Sequence, residues 1–203
     1  MSSLGSREKQ LLLEIARRAL SAAVEPREPL ASPLQDLELG ESAGAFVTLR
    51  HRARLRGCIG QIESGQSLVE MVTHCAKSAA LEDPRFNPVR PDELAEIEIE
   101  LSVLSPLEEI APHRIEAGKH GLMVSRGWQR GVLLPQVATE CRWQAARFLE
   151  ETCVKAGLER NAWQEARTKI HGFTAEVFRE SDFRSQGQPG PGGGARSRYS
   201  IST

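Results

Sequence analysis

The hexapeptide Leu55-Arg56-Gly57-Cys58-Ile59-Gly60 places a reactive thiol close to a permanently charged guanidinium. Side chains alternate across a β-strand, so Arg56 and Cys58 are predicted to point to the same face. A thiol beside a permanent cation tends to ionise, and the thiolate is the form that attacks electrophiles and binds metals. Free cysteine is also among the most buried residue types, so a small packing residue is the alternative for Cys58.

The two glycines of this hexapeptide interrupt the predicted strand. Glycine inside a strand often marks a bulge or a place where another backbone or a ligand approaches closely. Gly57 and Gly60 are therefore candidate binding positions, together with Arg56. The same alternation predicts that Leu55 and Ile59 face the core. If Gly57 occupies a bulge whose backbone angle only glycine tolerates, alanine there should destabilise the fold.

A second group of candidates lies in the segment Asp83-Pro84-Arg85-Phe86-Asn87-Pro88. The prolines fix the backbone around Asp83 and Arg85, so the two charges are held in place. The two side chains either close a local turn as an ion pair or line a cleft as binding residues.

His120 and Glu140 are the candidates for proton transfer. His120 directly precedes Gly121, and histidine is the side chain that most readily changes its protonation near neutral pH. Glu140 is predicted to lie in the first turn of a helix, where the helix dipole favours a carboxylate. Both residues also have structural explanations. A histidine in a turn can be chemically inert, and the helix dipole alone can explain a glutamate at position 140.

The elements that must position these candidates follow from the hydrophobic periodicity. Strict alternation predicts strands in which Glu98 and Glu100 form a solvated face. The pattern indicates an α+β fold with an antiparallel sheet flanked by helices. Helices are predicted over 6–24, 68–81 and 137–155, and strands over 46–49, 55–62, 97–103, 122–134 and 170–178.

Composition narrows the class of protein. The chain has 203 residues and a formal net charge of -1, which argues against an electrostatic nucleic-acid binder. It contains no apolar run long enough for a bilayer and no signal peptide, so a cytoplasmic location without membrane contact is expected. We find no P-loop, no G-x-G-x-x-G after a strand and no H-E-x-x-H, so no cofactor is indicated. The Gly- and Pro-rich residues 183–203 are predicted to be a disordered tail.

The four cysteines are widely separated, without a C-x-x-C pair. This spacing is typical neither of a disulfide framework nor of a zinc knuckle, so reduced thiols and no metal site are expected. Cys75 and Cys141 fall on the apolar stripes of predicted helices and should be protected, which leaves Cys58 as the thiol expected to react first.

Further motifs accompany the hexapeptide along the chain. They are Phe46–Leu49, Asp83-Pro84-Arg85-Phe86, Ile99–Leu104, His120-Gly121-Leu122, Leu133–Ala138 with Gln136 as a further binding candidate and with Glu140 and Trp143 after it, and Cys153–Leu158 with Trp163. The complete series resembles the AMMECR domain family over about residues 7–182. That resemblance implies an α+β protein with a larger and a smaller subdomain, a cleft between them and no established activity. It also implies partners, because the family tends to occur with a Memo-family protein and a radical S-adenosylmethionine protein.

Two functions of different class follow from the sequence. In the first, the protein is an adaptor or accessory subunit that works with the two partners implied by the resemblance. In the second, it is a thiol-dependent enzyme with Cys58 in an inter-subdomain cleft, Arg56 as its charge partner, and His120 or Glu140 as proton carrier.

Overall fold

The structure is a computed structural model that describes residues 4–25, 44–62 and 65–183. The predicted loop after the first helix and nearly all of the predicted tail 183–203 lie outside the described residues. The helices and strands within them are α1 (Ser6–Val24), β1 (Gly44–His51), β2 (Arg54–Ile62), α2 (Leu68–Leu81), β3 (Ile97–Leu104), β4 (Glu108–Glu109), β5 (Gly121–Arg126), β6 (Gln129–Leu133), α3 (Pro135–Glu140), α4 (Ala145–Lys155), β7 (Lys169–Phe173) and β8 (Ala175–Arg179).

The first sheet has the strand order β2-β1-β3-β8, with antiparallel pairing throughout. Helices α1 and α2 pack on one of its faces, and the alternating apolar residues of β3 are buried in the core between them. Both helices have the predicted bounds, and the predicted capping box at α2 forms, with Ser67 and Glu70 exchanging hydrogen bonds. The class predicted from the sequence, α+β with antiparallel strands, is therefore confirmed.

The second sheet has the order β4-β7-β5-β6 and is also antiparallel. Helix α4 covers one face and forms a separate core, in which Leu122 and Val124 pack with Phe148 and Leu149. The strands thus belong to two sheets, whereas the sequence predicted one.

The chain crosses between the sheets at two points that touch each other. Residue Ser105, just after β3, donates its main-chain N–H to the carbonyl of Thr174 at 2.9 Å. The N–H of Thr174 donates in return to the hydroxyl of Ser105 at 3.0 Å. The predicted single strand over 170–178 is therefore two strands, β7 in the second sheet and β8 in the first, divided at Thr174.

The predicted helix over 137–155 is also divided. Helix α3 ends in a turn where Arg142 takes a left-handed φ of 54° and Trp143 donates its N–H to the carbonyl of Ala138 at 2.9 Å. This is the Schellman arrangement that usually has glycine in the left-handed position. The break lets Trp143 pack against the second core before α4 begins.

A small apolar cluster joins the two sheets. Its buried members are Leu104 from the first sheet and Phe173 from the second, and Phe46 packs against them. A Cβ on Gly60 would lie 2.1 Å from the ring of Phe46, and one on Gly121 would lie 2.3 Å from the ring of Phe173. Each glycine therefore makes room for an aromatic ring of this cluster.

Candidate functional site

The hexapeptide lies in β2, at the edge of the first sheet. It begins after a tight turn in which Arg52 and Ala53 have φ values of 52° and 65°. The register with β1 then shifts, because Leu49 pairs with Gly57 while the next residue of β1 pairs with Leu55. This bulge turns Leu55 outward, where it is 39% exposed, so the prediction that Leu55 faces the core was wrong.

Arg56, the extra residue of the bulge, is bound to Glu93 and to the loop before it. Its Nε and Nη2 donate to the two carboxylate oxygens of Glu93 at 2.8 and 2.9 Å. The remaining donors reach the carbonyls of Asn87 at 2.8 Å and Pro88 at 3.1 Å. Arg56 lowers the pKa of Glu93 to about 2. The partner of Arg56 in the structure is the half-buried Glu93, whereas the sequence suggested the Cys58 thiol.

Asp83 and Arg85 bind the main chain of Cys58. The N–H of Cys58 donates to the Asp83 carboxylate at 2.8 Å, and Arg85 donates to the carbonyl of Cys58 at 3.3 Å. Arg85 also forms two side-chain hydrogen bonds with Asp83, at 2.9 and 2.7 Å. The guanidinium of Arg85 therefore holds the pKa of the buried Asp83 carboxyl well below its usual range, despite the opposing effect of burial. The pair closes a local turn, as one of the two sequence alternatives predicted, and also binds main-chain groups at the open edge of β2.

Gly57 is required by close packing against α2. A Cβ at this position would lie 2.1 Å from the main-chain oxygen of Ala79. The positive φ values of the described chain lie elsewhere, so the expected glycine-only backbone angle at Gly57 is wrong. The alternative sequence interpretation, close approach of another backbone, describes this position.

The face of the first sheet opposite α1 and α2 carries the thiol. Directly opposite residues of neighbouring antiparallel strands lie about 4.5–5.5 Å apart, so each row brings its side chains together. We call this surface the Cys58 face. It comprises the row Cys58, Thr48, Glu100 and Arg179 and the row Gly60, Phe46, Ser102 and Val177.

The first row of the Cys58 face is a continuous polar series. Thr48 donates its hydroxyl to the Cys58 sulfur at 3.3 Å. Glu100, the next residue, is only 7% exposed and accepts from Arg179 at 2.6 Å and from Arg50 at 3.4 Å. The prediction that Glu100 belongs to a solvated face was therefore wrong. Sequence alternation identified its face correctly but gave no sign of the two arginines that allow its burial.

The candidates for proton transfer lie in the other half of the molecule. His120 is half-buried in the turn before β5, where its Nδ1 accepts the main-chain N–H of Glu116 at 3.1 Å. Glu140 is exposed and is the last residue of α3, so its predicted place in a first helical turn was wrong. Gln136 lies in the first turn of α3, and its buried Oε1 has no hydrogen-bond partner among the described residues.

The cysteines differ in exposure. Cys58 is half-exposed and Cys141 is exposed, because the break after α3 removes Cys141 from the helical stripe on which the sequence placed it. Cys75 is buried under the first sheet, where burial raises the pKa of its thiol to about 11. Burial also raises the pKa of the Cys153 thiol in the second core. The predicted burial of Cys75 is thus confirmed, and that of Cys141 was wrong.

A cavity of about 440 Å³ lies between α1 and the end of β8, lined by Arg17, Glu180 and Phe183 among others. Its Arg17 is already bound by Glu180 and by the carbonyls of Leu94 and Ile97. Within residues 4–25, 44–62 and 65–183, no group of three or more His, Cys, Asp or Glu side chains is placed to hold a metal ion. None of the helices described there has the length and apolar character needed to cross a bilayer.

Known proteins resemble this chain in sequence and in fold. The AMMECR1 family model matches residues 13–178, which include every member of the Cys58 face except Arg179. The chain belongs to the AMMECR1 family. A curated protein of Methanothermobacter thermautotrophicus is 42% identical over 182 residues, covering 85% of this chain and 94% of that protein. A second, from Thermococcus gammatolerans, is 44% identical over 184 residues, covering 84% of this chain and 89% of that protein.

A solved member of the AMMECR1 family has the same fold. The crystal structure of an uncharacterised protein from Pyrococcus horikoshii matches with a TM-score of 0.72 at 39% identity, over 84% of this chain and 90% of that one. The family and fold that the hexapeptide and its companion motifs implied are therefore confirmed.

Proposed function

We propose that this AMMECR1 domain is an accessory subunit that presents the Cys58 face to a Memo-family protein, in a system that includes a radical S-adenosylmethionine protein. One observation carries the proposal. The charged residues of the family motifs bind neighbouring segments of the same chain, with Arg56 holding Glu93 and the Asp83–Arg85 pair holding the main chain of Cys58.

These contacts give the Cys58 face a fixed shape. Three motifs that are distant in sequence meet along the edge of β2, and the close approach of Gly57 to α2 fixes the strand against the helix. A preorganised surface loses little conformational freedom when a partner binds, which favours association. Val177, 43% exposed in the second row, gives the face an apolar contact beside the exposed guanidinium of Arg179. Arginine is enriched at protein interfaces.

The test is binding between the purified chain and the Memo-family protein from the same organism, measured by calorimetry. Val177→Gln should weaken the complex about tenfold, because Val177 is an exposed apolar side chain on the Cys58 face. Val154→Gln is the matched control, because Val154 is equally exposed, at 43%, but lies on α4. Absence of a complex, or equal weakening by both variants, would contradict the proposal.

A second candidate function, thiol chemistry at Cys58, is favoured by a separate observation. The Thr48 hydroxyl donates to the Cys58 sulfur at 3.3 Å, and a donor in this position stabilises the charge of a thiolate. In a Cys141→Ser background, Thr48→Val should slow alkylation of Cys58 at neutral pH by about threefold or more, the effect of one hydrogen bond. Thr73→Val, which removes a hydroxyl bound to the carbonyl of Val69 in α2, is the control and should leave the rate unchanged. Equal rates in all three proteins would remove the support for an activated thiol.

A further inference from the structure

The first sheet ends in two edge strands, β2 and β8, whose outward main-chain groups differ in what they bind. At the β2 edge the N–H and the carbonyl of Cys58 are bound by Asp83 and Arg85, at 2.8 and 3.3 Å. An uncovered edge offers donors and acceptors in the spacing of another strand, and proteins generally protect such edges. The state of the opposite edge, formed by β8, therefore matters for association with other chains.

Two hydrogen bonds fix which main-chain groups of β8 point away from β3. Just before the strand, the carbonyl of Thr174 accepts from the N–H of Ser105 at 2.9 Å, which directs Thr174 towards β3. At the end of the strand, the N–H of Arg179 donates to the carboxylate of Asp182 at 2.7 Å, which directs Arg179 outward. Main-chain groups of successive residues in an antiparallel strand point to opposite edges. Every second residue counted back from Arg179 therefore also points outward.

The outward main-chain groups of β8 at Ala175 and Val177 are open. Among the residues that the structure describes, none accepts a hydrogen bond from these two N–H groups or donates one to the two carbonyls. The side chain of Val177 is 43% exposed at the same edge, so solvent reaches the strand there. Unused main-chain groups in this spacing fit another polypeptide, whereas a lipid surface or a nucleic acid has no matching backbone.

The side chains along this edge indicate what an added strand should carry. Val177 and Arg179 point to the Cys58 face, each at the end of one of its rows. Arg179 binds Glu100 through its Nε at 2.6 Å, and its terminal nitrogens donate to none of the described residues. Its guanidinium is exposed, and exposed guanidinium nitrogens bind carboxylates well. An added strand should therefore place a carboxylate opposite Arg179 and an apolar side chain opposite Val177.

We propose that the outer edge of β8 accepts an extended segment of a partner protein as a further antiparallel strand, which continues the two rows of the Cys58 face. All pairings of the first sheet are antiparallel, and this addition preserves that arrangement. Such a strand runs against β8, so its carboxylate, opposite Arg179, comes two positions before its apolar residue, opposite Val177. The inference deepens the accessory function proposed above, on which it rests for the presence of a partner, by naming the kind of segment that the partner supplies.

The test selects peptides from a phage-displayed library of random dodecapeptides on the full-length chain. Enriched peptides should contain Asp or Glu two positions before an apolar residue. In a synthetic copy of the leading peptide, replacing that carboxylate by its amide should weaken binding about tenfold. Val177→Pro should weaken the peptide about tenfold or more, because proline removes the outward N–H and leaves the pairing with β3 in place. Val177→Thr is the control, since it keeps that N–H, and it should bind within about threefold of the wild type.

Amide hydrogen exchange in the unsubstituted protein separates strand addition from contact through side chains alone. The N–H groups of Ala175 and Val177 lack acceptors and should exchange fast in the free protein. Those of Glu176 and Phe178 point to β3 and should exchange slowly with or without peptide, which makes them the internal control. The bound peptide should slow exchange at Ala175 and Val177 about tenfold or more.

The proposal is overturned if no peptide with the expected order is enriched, if Val177→Pro binds the leading peptide as Val177→Thr does, or if the two outward N–H groups keep their exchange rates when it binds. Enrichment of the reverse order, with the apolar residue first, also overturns it, because that order belongs to a parallel strand. Absence of a complex with the Memo-family protein in calorimetry would remove the accessory function, whereas failure of the peptides alone would remove only the strand addition.

Discussion

Gly57→Ala is the sharpest test of how the hexapeptide is held. The added Cβ would lie 2.1 Å from the main-chain oxygen of Ala79 and 3.1 Å from its carbonyl carbon. The obstacle is the backbone of α2, which cannot rotate away as a side chain can. Relief therefore requires β2 and α2 to separate by about 1 Å, since non-bonded atoms stay more than about 3 Å apart.

The expected cost is large because both elements belong to the first core. Overpacking typically costs about 1–3 kcal/mol, and a main-chain obstacle places Gly57→Ala at about 3 kcal/mol or above. For a chain of this size that loss corresponds to a fall in melting temperature of about 6–12 °C. The movement would also draw Cys58 away from Asp83, so the hydrogen bond to its N–H should weaken as well.

Two other glycines provide matched controls. At Gly60 the added Cβ meets the ring of Phe46, a half-buried side chain that can turn, so we expect a loss of about 1 kcal/mol. Gly65 has a φ of 69° and open space around it, so alanine there meets only backbone strain of about 1 kcal/mol. Urea unfolding followed by circular dichroism measures all three. If Gly57→Ala lowers the free energy of unfolding by less than Gly60→Ala does, the close approach of β2 to α2 is refuted as the reason for glycine at position 57.

Three further outcomes are expected. Arg56→Ala should lower the free energy of unfolding by about 3 kcal/mol in urea, because it leaves the half-buried Glu93 carboxylate without its cation. Arg52→Ala, at an exposed ion pair, should change it little. Arg56 lowers the pKa of Glu93 to about 2, so the stabilising effect of this ion pair should be complete above the unfolded pKa of about 4.3 and be lost as the pH falls towards 2. Glu93→Gln should remove this part of the pH dependence of the free energy of unfolding. An unchanged pH profile would contradict the ion pair. In the native protein a disulfide reagent should modify Cys141 and Cys58 well before the buried Cys75 and Cys153. If only one thiol reacts fast, either Cys141 or Cys58 is covered.

Local signals in the sequence carried much of the fold. The apolar stripes and proline positions predicted α1 and α2 with their observed bounds, because helices of this length follow their own periodicity and capping. Alternation in β3 identified which residues face the core. The hexapeptide and its companion motifs identified the family.

The divisions within predicted elements came from tertiary packing. Apolar and polar residues alternate over 173–177 and predicted one strand over 170–178, yet Thr174 marks a crossing between sheets that depends on its hydrogen bonds with the distant Ser105. Likewise the helical pattern after Pro135 continues through Arg142, whose left-handed turn lacks the usual glycine. Packing of Trp143 against the second core stabilises that turn, and such a contact leaves no local mark in the sequence.

The candidate site was decided in the same two stages. The sequence alone identified Cys58 as a reactive side chain from its residue type, and strand alternation placed it on one face of β2. Only the tertiary structure decided their partners. Arg56 forms an ion pair with Glu93, Asp83 and Arg85 bind the main chain of Cys58, and Thr48 donates a hydrogen bond to the Cys58 sulfur. Hydrogen bonds and ion pairs act over about 3 Å, so they depend on which distant segments the fold brings together, and spacing along the chain does not specify that.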